Sequence, residues 1–472
     1  MHLVTDAENN AAGYFTDGPP GTVVNANFLN SILREIKTVI EAAGLGLASA
    51  EADTNDQLLS ALTTHFYPSN YDRVVKTQDE FNALFTRTGA NAYVIANGIR
   101  SVYIRNTGVA YNCSGPTSFL SGGDTYAEIK TNNCVNLVCD PGAYFYFEDT
   151  LGLVECNTAN SNITNLWVRG LGTIAVGVQT SILINATGVH LKGCRITNRQ
   201  ISGNNSGFRN LLANTDDTVF LENCSVENIT ATDSFHGFRY CNNLSFCKAT
   251  DFNGGNGDTL TGFYSCIGLN GCVVKTFSAT DNCISKGFDS CTLLSNCRAL
   301  DIVSSGSGVV QGFSNCGELN ACYVSTCESH DGIISGFISC LNMSACKSSV
   351  LCSGVSLAYA YNSCEALSAS SATTESSGND TCGFYTCSRL SSCIASSIVA
   401  TGGGDEALGF SGCSEISACY AVNITGTTAE GFNDCVHGSA LETDEAANSG
   451  NTYMDSADVQ IVAKYSIEDI FT

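Results

Sequence analysis

Apolar residues recur with different periods along this chain, and the changes of period divide it. In "NANFLNSILREIKTVIEAAGL", Leu29, Ile32, Ile36, Val39 and Ala43 step by three and four, which predicts an amphipathic helix with Asn25 or Asn27 as its N-cap. The stripe covers two heptads, so it fits an ordinary helix on a small domain or a face that meets its own copies. A second helix is predicted over Asp53 to Phe66. A third opens at Thr77, where Thr77-Gln78-Asp79-Glu80 forms a capping box ahead of Phe81, Leu84 and Phe85. From Ala92 the period becomes two: "AYVIANGIRSVYIRN", broken at Asn97-Gly98, reads as short strands joined by a turn.

Further on the pattern repeats as a whole. Gly-Phe recurs with its glycine at 237, 262, 287, 312, 336, 383, 409 and 431, with Ala360-Tyr361 substituting once, so the unit is about 24 residues. The full phrase is Gly-Phe-x-x-Cys-x-x-Leu-x-x-Cys, as in "GFYSCIGLNGC" from Gly262 to Cys272. Its Leu-x-x-Cys half extends back to Leu244-Cys247, Leu221-Cys224 and Leu191-Cys194. Helical repeats are longer and richer in Ala, Glu and Lys, and the Leu-x-x-Leu-x-Leu of leucine-rich repeats is absent. Three short strands and three bends fit one turn of a β-helix. Residues 92–437 have room for roughly 14 coils, which at about 4.8 Å each make a rod of roughly 65–70 Å.

Equivalent residues of successive coils then stack. Phe238, Phe263, Phe288, Phe313, Phe337, Phe384 and Phe410 form one core ladder. The Leu/Met/Ile positions 244, 269, 294, 319, 343, 367, 390 and 416 form a second, and the cysteines stack likewise: Cys241, Cys266, Cys291, Cys316 and Cys340 in one column, Cys247, Cys272, Cys297, Cys322 and Cys346 in another. The three-residue step from Phe to Cys to Leu to Cys is not the two-residue alternation of a strand. A bend must fall within it, at a place the sequence leaves open, and the Gly of Gly-Phe is expected to permit a bend. The organisation expected is a helical segment over 1–88, a parallel β-helix over 89–437 with regular repeats over 237–435, and a C-terminal cap over 438–472.

Composition sharpens this picture. The chain has 45 acidic against 21 basic residues, a formal net charge of −24, which argues against nucleic acid and anionic membranes as partners. Charged residues make up only 14%, so the surface must rest on Ser, Thr, Asn and Gly. All five prolines lie at or before Pro141 and all 26 cysteines at or after Cys113. A long stretch without proline suits a sheet in which every N–H donates to a neighbouring strand. The opening "MHLVTDAENNAAGYF" lacks the basic flank and apolar core of a signal peptide, and no apolar run approaches a membrane span. Synthesis in a cytoplasm without membrane insertion is the expectation.

Candidate chemistry is sparse. The repeat spaces its cysteines as Cys-x5-Cys and the chain has only six histidines, a poor match to structural zinc, so no metal is expected. Disulfides are disfavoured by the reducing compartment, and the cysteines read as small buried hydrophobes filling a narrow interior. Ser370 stands at one of the second Cys positions, which favours packing over ligation. The weak catalytic candidates are acids. Asp233 and Asp258 each precede a Gly-Phe by four residues and should stack one coil apart. Asp251 and Asp301 each follow a repeat cysteine by four and lie two coils apart, with Thr276 between. Such pairs could flank a glycosidic bond or a cation, although aspartates also simply favour bends. No nucleotide-binding loop or Ser/His/Asp order stands out, and no cofactor is implied. Trp167, the sole tryptophan, is expected in the core.

The text from Tyr14 to Leu62, "YFTDGPPGTVVNANFLNSILREIKTVIEAAGL…DTNDQLLSAL", resembles the opening of bacteriophage tail-fibre and tailspike proteins. The motifs match at Phe15 to Gly18, Gly21 to Val24, Ile40 to Gly44 and Asn55 to Leu58, with Phe28-Leu29 where that family usually has Trp-Leu. The following "TQDEFNALFTRTGANAYVIANGI" resembles the helix leading into a tailspike β-helix, and the Cys-rich repeats resemble right-handed parallel β-helix repeats. The resemblance implies a virion tail protein that attaches through its N-terminus to other tail or baseplate proteins. It further implies a homotrimer whose β-helix binds a host cell-surface glycan or other receptor, with release by lysis carrying it outside. The alternatives on the same architecture are a polysaccharide depolymerase, a glycoside hydrolase or lyase, and a purely structural stalk. The even repeat and scattered acids lean away from catalysis.

Overall fold

The computed structural model describes residues 71–443, apart from short internal gaps, together with small pieces near the start (10–11, 14–15 and 38). The predicted helices before residue 67 and the tail after Thr443 lie outside the described residues. Two units separate at Asp72/Arg73. In the first, Asn10–Ala11 pairs antiparallel with Tyr14–Phe15. Everything that follows concerns the second.

Among the described residues that unit is a β-solenoid of three sheets of fifteen strands each, parallel throughout except where Phe85–Arg87 pairs antiparallel with Ala92–Ile95. One coil shows the plan. Thr259–Tyr264 lies in the first sheet, Ile267–Asn270 in the second and Val273–Ala279 in the third. They are called here the Phe sheet, the Leu sheet and the long-strand sheet. Each strand pairs in register with its equivalent one repeat away, so that Phe238 pairs with Phe263 and then with Phe288. The Leu sheet begins with Arg73–Val75, paired to Ser101–Ile104.

The helix Gln78–Leu84 follows, with Thr77 as N-cap and a complete capping box with Glu80. Its Phe81 is fully buried and packs on Tyr111 and Phe145 at centroid distances of 5.0 and 4.9 Å. It thereby covers apolar surface of the first coils, as the end of a solenoid requires. No helix among the described residues is long and apolar enough to cross a membrane.

Left-handed residues account for the three-residue step. Tyr240, Asn243 and Phe246 have φ of 56°, 50° and 55°, and Ser265, Gly268 and Gly271 repeat this one coil on. Each stands immediately before a residue that faces inward, so every third residue re-aims the chain and Phe263, Cys266, Leu269 and Cys272 all reach the interior. A fourth left-handed column, Asp251, Thr276 and Asp301, kinks the long strands. The ladder continues through the bends: Ser265 N–H donates to Asp289 O at 2.9 Å, and Ile267 N–H to Cys241 O at 3.1 Å. Left-handed conformations cost an L-residue about 1–2 kcal/mol each. Pairing with the coils on either side over-determines them here, with register shifts among the described residues of the long-strand sheet only at Ser325/Cys327 and Ala372/Thr374.

The glycine of Gly-Phe does something else. Gly262 has no left-handed φ; a Cβ there would collide with Val274 Cγ2 and come within 2.7 Å of Gly287 O. It lets the Phe sheet approach the long-strand sheet, and it is not a bend.

The interior is built of stacks. From Phe208 to Phe432, with Tyr361 in the series, successive rings lie 4.6–5.0 Å apart within 10° of parallel. Phe252 and Phe277 form a second stacked pair at 4.5 Å. The described cysteines are buried free thiols. Cys266 Sγ donates to Tyr264 O at 3.4 Å and Phe238 O at 3.6 Å, and the pattern recurs at Cys291 and Cys316. Ser370 makes the same bond, Oγ to Ser368 O at 3.1 Å. Cysteine is thus both a small filler and a weak donor to carbonyls beside the bend.

Candidate ligand-binding grooves

The corner between the Leu sheet and the long-strand sheet carries a bulky residue in an unusual place. The position before the second repeat cysteine is Asn223, Gly271, Asn296, Ala321 or Ala345 in neighbouring coils, but Phe246 in one. A bulky residue with positive φ is an outlier, and Phe246 is also 55% exposed. Its ring lies over Gly271, where a Cβ would sit 2.8 Å from Cδ1 and Cε1. Glycine in the next coil makes room for the phenyl face.

Phe246 lines two open grooves. One, about 730 Å³, is lined by Asn223, Lys248, Asn270, Gly271, Val273, Asn296 and Arg298 as well. The other, about 320 Å³, adds His190, Phe220, Leu221, Glu222, Asn243 and Ser245. Phe220 is 46% exposed and meets His190 edge-on at 6.0 Å. The lysine and arginine stem from one column, Lys248, Val273, Arg298, Tyr323 and Lys347, at the start of the long strands. The larger groove is therefore cationic on an acidic chain, with one apolar platform and amide groups around it.

A second aromatic strip lies on the long-strand sheet. Tyr144, Trp167 and Arg195 form one column and Tyr146, Arg169, Thr197 and Glu227 the next. Trp167 packs tilted against Tyr144, with ring centroids 5.0 Å apart, lies under the Arg195 guanidinium at 4.9 Å and donates its indole N–H to Thr197 Oγ1 at 2.8 Å. This corrects the expectation of a core tryptophan. In the strand Trp167–Arg169 it is Val168 that is buried, and the alternation turns the indole outward.

The predicted acids separate into two places. Asp233 and Asp258 do stack one coil apart, by the register Phe235 to Leu260. Asp233 is exposed, whereas Asp258 is buried and its Oδ2 accepts the Gly255 N–H at 2.6 Å. Burial, partly offset by that bond, and the Asp233 charge hold the Asp258 carboxyl above the usual carboxylate range. Asp251 and Asp301 stand in the mid-strand left-handed column, two coils apart with Thr276 between. Asp301 lies 3.9 Å from Lys275. These two serve the kink, a conformation aspartate tolerates.

The core-ladder residues Phe238, Phe263, Phe288, Phe313, Phe337, Phe384 and Phe410 are fully buried, as are both cysteine ladders to within 1%. They are remote from any ligand. Burial, the largest influence, pushes the Cys194, Cys241 and Cys291 thiols well above the usual thiol range. Among the described residues no three His, Cys, Asp or Glu side chains are grouped to hold a metal.

No family model and no curated protein matches the chain. Among solved structures it is similar to DFA-IIIase from Arthrobacter chlorophenolicus A6, at 9% identity over 69% of this chain and 89% of that one, with a TM-score of 0.29. The catalytic domain of a GH87 alpha-1,3-glucanase follows at 11% identity, 89% and 70% coverage and a TM-score of 0.25. Geobacillus virus E2 ORF18 has 11% identity, 94% and 70% coverage and a TM-score of 0.19.

Proposed function

We propose that this chain is a phage tail-fibre or tailspike-type protein whose β-helix binds a host cell-surface glycan without cleaving it. The observation that carries the binding is Phe246, a strained and exposed ring held over Gly271 in a cationic, amide-lined groove. Strain in a bulky residue that packs against no core points to use at the surface. A phenyl face receives the C–H side of a sugar ring, and the Asn223, Asn270 and Asn296 amides supply donors and acceptors for hydroxyls. The virion reading rests on the N-terminal motifs from Phe15 to Leu58. It brings with it attachment to tail or baseplate proteins, a homotrimer, and action outside the cell after synthesis in the host cytoplasm. Three copies would multiply a weak single-site affinity into useful avidity.

The test is binding of the full-length protein to a panel of bacterial surface polysaccharides, with Phe246→Ala alongside. The reading requires binding that falls at least tenfold in the variant while the fold, followed by circular dichroism, is kept. Equal binding by both proteins would refute it.

A second reading, a depolymerase, is favoured by one observation: the stacked Asp233 and Asp258 form an acid pair with one buried and one exposed carboxyl, the asymmetry that general acid and base require. Release of reducing ends or unsaturated sugars, abolished in Asp258→Asn, would establish it. Intact polysaccharide after prolonged incubation at every pH from 4 to 9 would remove it.

A further inference from the structure

The outer face of the Phe sheet carries two arginines where the register forces them together. Arg209 pairs with Arg239 on the neighbouring strand, so two guanidinium stems rise from positions one coil apart. Like charges directly opposite each other on a sheet repel. Several cations elsewhere on this acidic chain are neutralised across or along its strands: Lys130 meets Glu155, Lys192 meets Glu222, Arg195 meets Glu227, and Arg389 meets Glu365. No carboxylate among the described residues pairs with Arg209 or Arg239. The column continues from Arg239 to Tyr264 and then Asp289, so Tyr264 stands between the pair and that acid. Asp289 is itself held by Lys286 at 3.0 Å.

The surroundings are built and not merely crowded. The Arg239 guanidinium lies over Tyr240 at 5.0 Å and over Tyr264 at 5.6 Å. Tyr264 also stacks on His236 at 4.6 Å. His236 is only 7% exposed, yet its Nδ1 is buried without a partner, as are Nε of Arg209 and Nε of Arg239. Three nitrogens thus lie buried and unbonded around a cluster with uncompensated positive charge, in a chain with formal charge −24. Leaving such groups unsatisfied is costly, and two guanidinium groups side by side without a carboxylate are matched in charge by an oxyanion.

We propose that Arg209 and Arg239, backed by His236 and Tyr264, form a binding site for an oxyanion: a carboxylate, sulfate or phosphate group. Two guanidinium forks suit the planar or tetrahedral oxygens of such groups. The strand Asn242–Ser245 of the Leu sheet separates this site from Phe246, a span of roughly 10–13 Å. An acidic saccharide crossing that strand reaches both. The saccharide part of the inference rests on the proposed glycan binding; the oxyanion site does not.

The experiment follows thermal unfolding of the full-length protein at constant ionic strength, with chloride replaced by sulfate, by phosphate or by trigalacturonate. The site predicts an upward shift in the wild type that is lost in Arg239→Gln. Arg239→Gln should also melt higher than the wild type in chloride alone, because the like-charge pair is gone. Arg209→Gln serves if Arg239→Gln does not fold. A shift with the small anions identifies a bare oxyanion site, and a shift with trigalacturonate alone identifies a uronate carried by a glycan. No shift with any anion, or the same shift in the variant, overturns the proposal. Phe246→Ala should keep the sulfate response even where polysaccharide binding is lost, so failure of one reading is distinguishable from failure of the other.

Discussion

Phe246 and Gly271 are stacked one coil apart, the ring of the first occupying the space that any side chain on the second would need. Gly271 also has φ of +63°, so alanine there meets both a strained backbone and the ring. Gly271→Ala should therefore displace the phenyl group and weaken polysaccharide binding nearly as much as Phe246→Ala. Its stability cost should be about 1–2 kcal/mol. Calorimetric titration with the best polysaccharide of the panel measures the first, and chemical denaturation the second.

Relief of the same strain elsewhere should stabilise the rod. Leu293 has φ of 58° and is 51% exposed, while Gly268 and Asn243 hold its column in the preceding coils. Leu293→Gly or Leu293→Asn should raise stability by about 1 kcal/mol, read as a higher denaturation midpoint. An unchanged or lower midpoint would show that the exposed leucine makes contacts worth more than the strain.

The ring stack should fail locally. Phe288 is fully buried between Phe263 at 4.9 Å and Phe313 at 4.6 Å. Phe288→Ala should cost about 3–5 kcal/mol through lost burial and cavity formation. Each coil contacts chiefly its neighbours, so hydrogen exchange should accelerate within a few coils and not along the whole rod.

The cysteine ladders should tolerate serine better than bulk. Ser370 already donates where a thiol would, so Cys346→Ser beside it should fold. Cys346→Leu should cost about 1–3 kcal/mol by overpacking. Thermal melts of the two variants, compared under reducing conditions, should rank them in that order.

His236 gives the rod an acid-sensitive point. Burial chiefly, with Arg239, Lys286 and Arg209 adding to it and Asp289 opposing, brings the imidazole down to about 4. The unfolded histidine titrates near 6.5, so the unfolded state takes up its proton first as the pH falls. The stability this group contributes is full above about 6.5 and is lost progressively down to about 4, a loss of up to about 3 kcal/mol. His236→Gln should flatten the melting temperature across that window, and an unchanged pH profile would contradict the assignment.

Much of this could be read in the sequence, and the reason is repetition. A 24-residue period forces equivalent residues into register, so the phenylalanine and cysteine ladders and the stacking of Asp233 on Asp258 follow from counting. What counting could not place was the bend, because the left-handed positions are filled by Asn, Ser, Ala, Thr and even Leu and Phe. No residue type marks them. They exist because pairing with the coils on either side outweighs local preference. The same holds for function. Phe246 was visible as a large residue in a column of small ones, but its exposure and its seat over Gly271 depend on a neighbouring coil. Trp167 turned outward because its strand alternates about Val168, which a lone tryptophan in a sequence does not reveal. The pairing of Arg209 with Arg239 needed register across strands 30 residues apart. The sequence by itself determined the period, the ladders and hence the solenoid, since burial of a repeated apolar phrase admits few arrangements. Which residues face the solvent, and which of those stand beside one another without a partner, was decided only when three sheets closed around one core.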